Sequence, residues 1–172
     1  MRVFGITGWK NSGKTGLVER LVTEIIGRGY SVSTIKHAHH SADVDHEGTD
    51  SFRHRAAGAS QVVLSSPQRW AIMTELRGQA EPELGKLLEK MDPVDLVFVE
   101  GYKTQAHPKI EAYRAICKTT PIAFENSSIV AVASDVRPEV PVPVLDLDDT
   151  AVVADFVLKY VGLSPKGTSD AQ

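Results

Sequence analysis

Gly8-Trp9-Lys10-Asn11-Ser12-Gly13-Lys14-Thr15 fits the pattern G-x-x-x-x-G-K-[S/T] without a mismatch. Its flanks matter as much as its letters. Val3-Phe4-Gly5-Ile6-Thr7 before it is a short apolar run with the character of a buried strand. After it, Leu17, Leu21 and Ile25 recur four apart with Val18 and Val22 beside them, which predicts a helix with one apolar face. Strand, glycine-bearing loop and helix form the setting of a phosphate-binding loop. Glycines let the backbone curl so that successive N–H groups point inward. The helix N-terminus adds unpaired donors and the positive end of a dipole. In that reading the residues from Gly8 to Gly16 bind nucleotide: Gly8, Trp9, Lys10, Asn11, Ser12, Gly13, Lys14, Thr15 and Gly16. Lys14 reaches the terminal phosphates and the Thr15 hydroxyl ligates Mg²⁺. The bland alternative is a glycine-rich turn that only links strand to helix.

Outward from this loop, strands alternate with helices. A helix ending near Arg28-Gly29 is followed by a strand over 30–36, and a polar stretch over 37–50 has no periodicity and reads as a loop. Thr49-Asp50 is placed to cap a short helix over 51–58. Residues 61–65 and 70–75 flank Ser66-Pro67-Gln68-Arg69 and predict two strands joined by a turn, an antiparallel element free to pair with another subunit. A helix is expected over 81–91, with Leu84, Leu87, Leu88 and Met91 on one stripe. Residues 94–99 form the most apolar strand, expected to be central and buried on both faces. Further strands are expected over 109–114, 129–133 and 142–147, then a helix over 150–160 capped by Asp148 or Asp149. The pattern predicts an α/β, three-layer fold with a mostly parallel sheet and an antiparallel hairpin extension. It is organised as a single domain over 1–163 with a disordered tail over 164–172.

Composition narrows the function classes. A formal charge of −3 gives no reason to expect nucleic acid or an anionic membrane as partner. The single Cys117 excludes an internal disulfide and fits a reducing compartment. No apolar run approaches membrane-spanning length, and the cytoplasm is the expected location.

Three further stretches carry chemistry. In Asp95-Leu96-Val97-Phe98-Val99-Glu100-Gly101 an apolar strand ends in an acid, so Glu100 is expected to face the phosphate loop and to hold Mg²⁺ or orient a water. Asp95, at the strand's other end, is out of reach of that metal. Five of the six histidines lie between His37 and His54. In this segment Asp43 and Asp45 are oxygen donors suited to Mg²⁺, whereas His37, His39 and His40 suit a transition metal but match no closed zinc spacing. Arg53, His54 and Arg55 are suited to a phosphate or to a solvated helical face. Trp9 is expected to pack against a neighbour, and Lys10 to touch phosphate, within the chain or across a dimer. Ala131-Val132-Ala133-Ser134-Asp135 ends a late strand in a carboxylate: Asp135 either accepts from guanine N1 and N2, favouring GTP over ATP, or is a turn residue ahead of Arg137-Pro138.

The blocks G-W-K-N-S-G-K-T, I-K-H-A-H-H-S-A-D-V-D, D-S-F-R-H-R-A-A-G-A, Q-R-W-A-I-M-T-E, D-L-V-F-V-E-G-Y-K and A-V-A-S-D together resemble molybdopterin-guanine dinucleotide biosynthesis protein B. The resemblance runs from the N-terminus to the last helix. It implies a P-loop GTPase fold that works as a nucleotide-dependent homodimer, binds GTP with Mg²⁺ and hydrolyses it weakly. It also implies an adaptor role beside the guanylyltransferase that joins GMP to molybdopterin, and beside other cofactor-maturation proteins. Gly8–Thr15 correspond to that family's phosphate loop and Glu100 to its Walker B acid, which makes Lys14 and Glu100 the expected catalytic pair. Where the family commonly carries Pro-Gly-Lys-Asp-Ser, this chain has Glu47-Gly48-Thr49-Asp50-Ser51, without the proline and with one positive charge fewer. Two rivals use the same loop: a small-molecule kinase, for which Arg53 and Arg55 are the nearby pair, and a GTP-dependent metallochaperone built on the histidines.

Overall fold

The computed structural model describes residues 1–38 and 43–164. The chain forms two compact units, Met1–Ala38 with Pro93–Gln172, and His39–Asp92.

The first unit is built on six parallel strands. In chain order these are β1 (Arg2–Thr7), β2 (Val32–Lys36), β5 (Leu96–Glu100), β6 (Lys109–Tyr113), β7 (Ile129–Ser134) and β8 (Val144–Asp146); β3 and β4 belong to the second unit. Their order across the sheet is β2-β5-β1-β6-β7-β8. Because all pairs are parallel, every strand ends at the same edge. After β1 the chain goes to one side of the sheet, and from β5 it returns to β6 on the other side, so the crevice of an open α/β sheet falls at the end of β1. β5 is buried on both faces, as its unbroken apolar run predicts, but it stands second from the sheet edge, and β1 and β6 take the centre.

One face of this sheet carries α1 (Lys14–Gly27) and α4 (Thr150–Val161). Leu17, Val18, Leu21 and Ile25 of α1 and Val153, Ala154, Val157 and Leu158 of α4 pack with Phe4, Ile6, Leu96, Phe98 and Ile110 in one core. α1 ends as its sequence predicts. Gly29 takes φ +85, its N–H bonds to Ile26 O at 2.9 Å, and the Tyr30 N–H reaches Ile25 O at 3.3 Å. These are the paired bonds of a glycine-terminated helix. Asp149 caps α4, its side chain accepting from Val152 N at 3.0 Å. On the opposite face the 3₁₀ turn Ile122–Phe124 covers β6 and β7. There the fully buried Glu111 accepts from Ile122 N and Ala123 N at 2.8 and 2.9 Å.

The second unit holds α2 (Asp50–Ala56), the antiparallel pair β3 (Gln61–Ser65) and β4 (Trp70–Thr74), and α3 (Leu84–Leu88). Thr49 caps α2 by accepting from Phe52 N. The helix expected over 81–91 shrinks to α3, which has five residues. Pro82 delays its start, Gly85 weakens its only turn, and Asp92-Pro93 forbid continuation. The mostly parallel α/β sheet with an antiparallel hairpin is therefore the observed fold, and residues 165–172 of the expected tail lie outside the described residues.

Candidate functional site at the end of β1

β1 leads into a loop whose backbone only particular residues tolerate. Gly8 has φ +149, and a Cβ there would lie 2.4 Å from Ala112 O and 2.5 Å from Ser12 Oγ. Asn11 sits at φ +64, a left-handed conformation that Asn tolerates better than most residues. Gly13 has φ +90 and caps α1 with no side chain, while its carbonyl takes the first helical bond from Leu17 N at 3.0 Å. The first turn of α1 carries no acidic residue. Its backbone donors therefore face the loop uncompensated, as an anion site requires. Ser12 Oγ is buried and has no hydrogen-bond partner among the described residues, which suits a ligand oxygen.

Around this loop the parallel sheet collects side chains from distant parts of the chain. The Thr15 hydroxyl donates to Glu100 Oε1 at 3.0 Å, and Lys36 Nζ lies 3.3 Å from the same Oε1 and 3.5 Å from Thr15 Oγ1. Lys14 Nζ donates to Trp9 O at 2.6 Å. Burial lowers the Lys14 ammonium from its ordinary range; Glu100 opposes that shift and Lys103 and Lys36 add to it. The Thr15 hydroxyl and the Glu100 carboxylate are hard oxygen donors of the kind Mg²⁺ takes, and they are in direct contact. Asp95, at the opposite end of β5, binds Ser31 N and Ser31 Oγ instead. Trp9 packs against neighbours: its Nε1 donates to Thr120 O at 2.9 Å, and Lys103 Nζ lies 4.0 Å from the ring centroid. Lys10 is exposed, and its carbonyl lies 3.8 Å from the Cys117 thiol.

Asp135 follows β7 beside a cavity of about 160 Å³ lined by residues 134–137 and 144–146. One of its oxygens accepts from Ala115 N at 3.1 Å and the other lies 3.7 Å from Arg114 Nη1. Arg114 also lies 3.5 Å from Asp148 Oδ1, and its Nε would be 3.1 Å from a Cβ on Gly13. The sequence reading gave Arg114 and Lys36 no role. Lys36 ends β2 and Arg114 directly follows β6, so both stand at the carboxyl edge of the sheet where the loop lies, which is the one signal that would have found them.

In the second unit Asp43 and Asp45, read as Mg²⁺ donors, converge on Arg55. Its Nη2 lies 2.7 Å from Asp43 Oδ1 and bonds Asp45 Oδ1, and its Nη1 lies 2.7 Å from Glu75 Oε1. The Arg55 guanidinium holds the Asp45 carboxyl below the usual range, and Glu75 and Asp45 raise Arg55 in turn. Arg55 thus takes both oxygens of Asp45 and one of Asp43, and its guanidinium, suited by sequence to a phosphate or to a solvated face, is occupied by carboxylates. Arg53 is exposed, with Asp50 at 3.8 Å. His37 stacks on Tyr102 at 4.5 Å between ring centroids, and His39 and His40 lie outside the described residues. Among the described residues no group of three or more His, Cys, Asp and Glu could hold a metal ion.

A family model described as molybdopterin guanine dinucleotide synthesis protein B matches residues 3–135. The molybdopterin-guanine dinucleotide biosynthesis adapter protein of Haemophilus influenzae is 42% identical over 161 residues, covering 92% of this chain and 89% of its own. Its Escherichia coli counterpart is 38% identical over 162 residues, covering 92% and 93%. Among solved structures, Bacillus subtilis MobB superposes with a TM-score of 0.74 at 22% identity, over 94% of this chain and 98% of that one. The MobB homolog from Bacillus stearothermophilus gives 0.68 at 24%, over 95% and 100%. The family model, the two near full-length relatives and the shared fold agree that this chain belongs to the molybdopterin guanine dinucleotide synthesis protein B family.

Proposed function

We propose that this chain is a GTP- and Mg²⁺-binding homodimeric adapter of molybdopterin guanine dinucleotide biosynthesis, with slow GTPase activity. The observation that carries the reading is the contact of Thr15 with Glu100 at the mouth of an uncapped, glycine-turned loop. The adapter role rests on relatives that carry that description. In the loaded state the loop amides and Lys14 hold the phosphates, Thr15 and Glu100 hold Mg²⁺, and Asp135 meets the base. Mg²⁺, when bound, supplies charge neutralisation between the phosphate oxygens. Lys14 leaves the Trp9 carbonyl for phosphate, a stronger, charge-assisted acceptor. Hydrolysis is slow because, among the described residues, none is placed as a strong base or as an arginine finger. The partner in the pathway is the guanylyltransferase that joins GMP to the pterin.

Dimerisation is assigned to the hairpin of the second unit. Val63, Trp70 and Ile72 share one face of β3 and β4 and are 61%, 63% and 53% exposed. Both strands also have a free edge, and a lone two-stranded sheet is marginal in water. The test of the nucleotide assignment is binding of a fluorescent GTP analogue, with GTP and ATP as competitors, to the wild type and to Lys14→Ala. GTP should displace the analogue at lower concentration than ATP, and Lys14→Ala should lose at least about a hundredfold in affinity. Unchanged affinity in that variant removes the assignment.

A further inference from the structure

The cation that sits on the proposed metal pair in this structure is a lysine. Lys36 Nζ is within 3.3 Å of Glu100 Oε1 and 3.5 Å of Thr15 Oγ1, while Lys14, the lysine of the loop itself, is turned away to Trp9 O. We infer that Lys36 is a tethered stand-in for the divalent cation: it holds Thr15 and Glu100 while the site is unloaded, and Mg²⁺ must displace it in order to bind. The inference deepens the nucleotide reading above and rests on it.

Three observations support the exchange. First, Glu100 is only 12% exposed at its side chain, so its charge needs a local partner when no metal is present. Second, the two cations compete for the same oxygens. The Thr15 hydroxyl gives its proton to Glu100 and receives Lys36 on its oxygen, and Oε1 takes both Thr15 and Lys36. A metal at these two oxygens would sit beside that ammonium, and a divalent ion that close to a positive charge is repelled. Third, Lys36 can leave. Its side chain is 59% exposed on a flexible stem, and the ammonium is a compact point charge with no fixed geometry to break.

The backbone next to Lys36 is tied to the same strand. Lys36 is the last residue of β2, and the next residue, His37, donates its N–H to Glu100 O at 2.9 Å and stacks on Tyr102.

The test compares the wild type with Lys36→Met, which keeps the stem and removes the charge, and with Lys36→Arg, which keeps the charge. Two quantities are measured: binding of Mn²⁺ alone by electron paramagnetic resonance, and the Mg²⁺ concentration that half-saturates binding of a fluorescent GTP analogue. Lys36→Met should bind Mn²⁺ more tightly and lower the Mg²⁺ midpoint by about tenfold, and Lys36→Arg should stay close to wild type. An unchanged midpoint and unchanged Mn²⁺ binding in Lys36→Met overturn the inference. So does a loss of analogue affinity at saturating Mg²⁺, which would make Lys36 a phosphate ligand. A wild type that binds no guanine nucleotide under any metal sinks the nucleotide reading instead, and the Mn²⁺ comparison still judges Lys36.

Discussion

Gly8 bears the tightest constraint in the loop. Any side chain there meets the Ala112 carbonyl at 2.4 Å with backbone that cannot give way, and φ +149 adds its own strain. Gly8→Ala is expected to cost about 2 kcal/mol of stability and to abolish nucleotide binding, checked by urea melts and analogue fluorescence. His107 offers a test in pH. Burial, and secondarily the neighbouring Lys109, push its imidazole down to about 4, and neither ring nitrogen has a hydrogen-bond partner. The folded pKa lies below the unfolded value of 6.5, so the unfolded chain takes the proton first as pH falls. Stability is therefore full above that value and declines as pH drops from 6.5 toward 4, by up to about 3 kcal/mol. Urea midpoints for the wild type and His107→Gln across that range should converge as the acid side is approached. Parallel lines would show that His107 does not titrate between the states.

Among the elements, those that sequence made legible were the ones whose signals are local. The stripe of Leu17, Leu21 and Ile25, the Gly29 ending of α1 and the cap of α4, expected from Asp148 or Asp149 and supplied by Asp149, each depend on residues within a turn or two. The expected α3 failed because its apolar stripe was counted over Gly85 and past Pro82, whose backbone costs outweighed the pattern. The site shows the same divide. The loop could be read because its chemistry lies in eight consecutive residues. Glu100 could be placed because a strand ending in an acid fixes which edge it meets. Lys36 and Arg114 could not be assigned partners, since Glu100, Asp135 and Asp148 come to them through strand order, which residue pattern alone leaves open. Asp43 and Asp45 looked like metal donors by composition, and only the fold revealed Arg55 between them. At this scale the hairpin gives a further prediction. Trp70→Asp should convert the proposed dimer to monomer in sedimentation velocity while leaving nucleotide affinity per chain within about twofold, since a buried charge in an apolar interface is costly and the hairpin lies outside the loop. A dimer that persists would move the interface elsewhere.

For the whole molecule, the sheet of the first unit gathers the ends of β1, β2, β5, β6 and β7 along one edge, which is where an open α/β sheet binds its ligand. No helix among the described residues is long and apolar enough to cross a membrane. Ligand binding at that edge should stabilise the fold by linkage. Mg²⁺ and GTP at about a hundred times the dissociation constant should contribute about 2.7 kcal/mol and raise Tm by about 5–10 °C. ATP at equal concentration should raise it less, and Lys14→Ala should not respond to either. The most direct measurement is a crystal structure with a non-hydrolysable GTP analogue and Mg²⁺. The account predicts β- and γ-phosphates inside the curl of Gly8–Thr15, Mg²⁺ against Thr15 Oγ1 and the Glu100 carboxylate, and Lys36 withdrawn from both. A loop that stays closed on its own Trp9–Lys14 bond, with the analogue bound elsewhere, would contradict it.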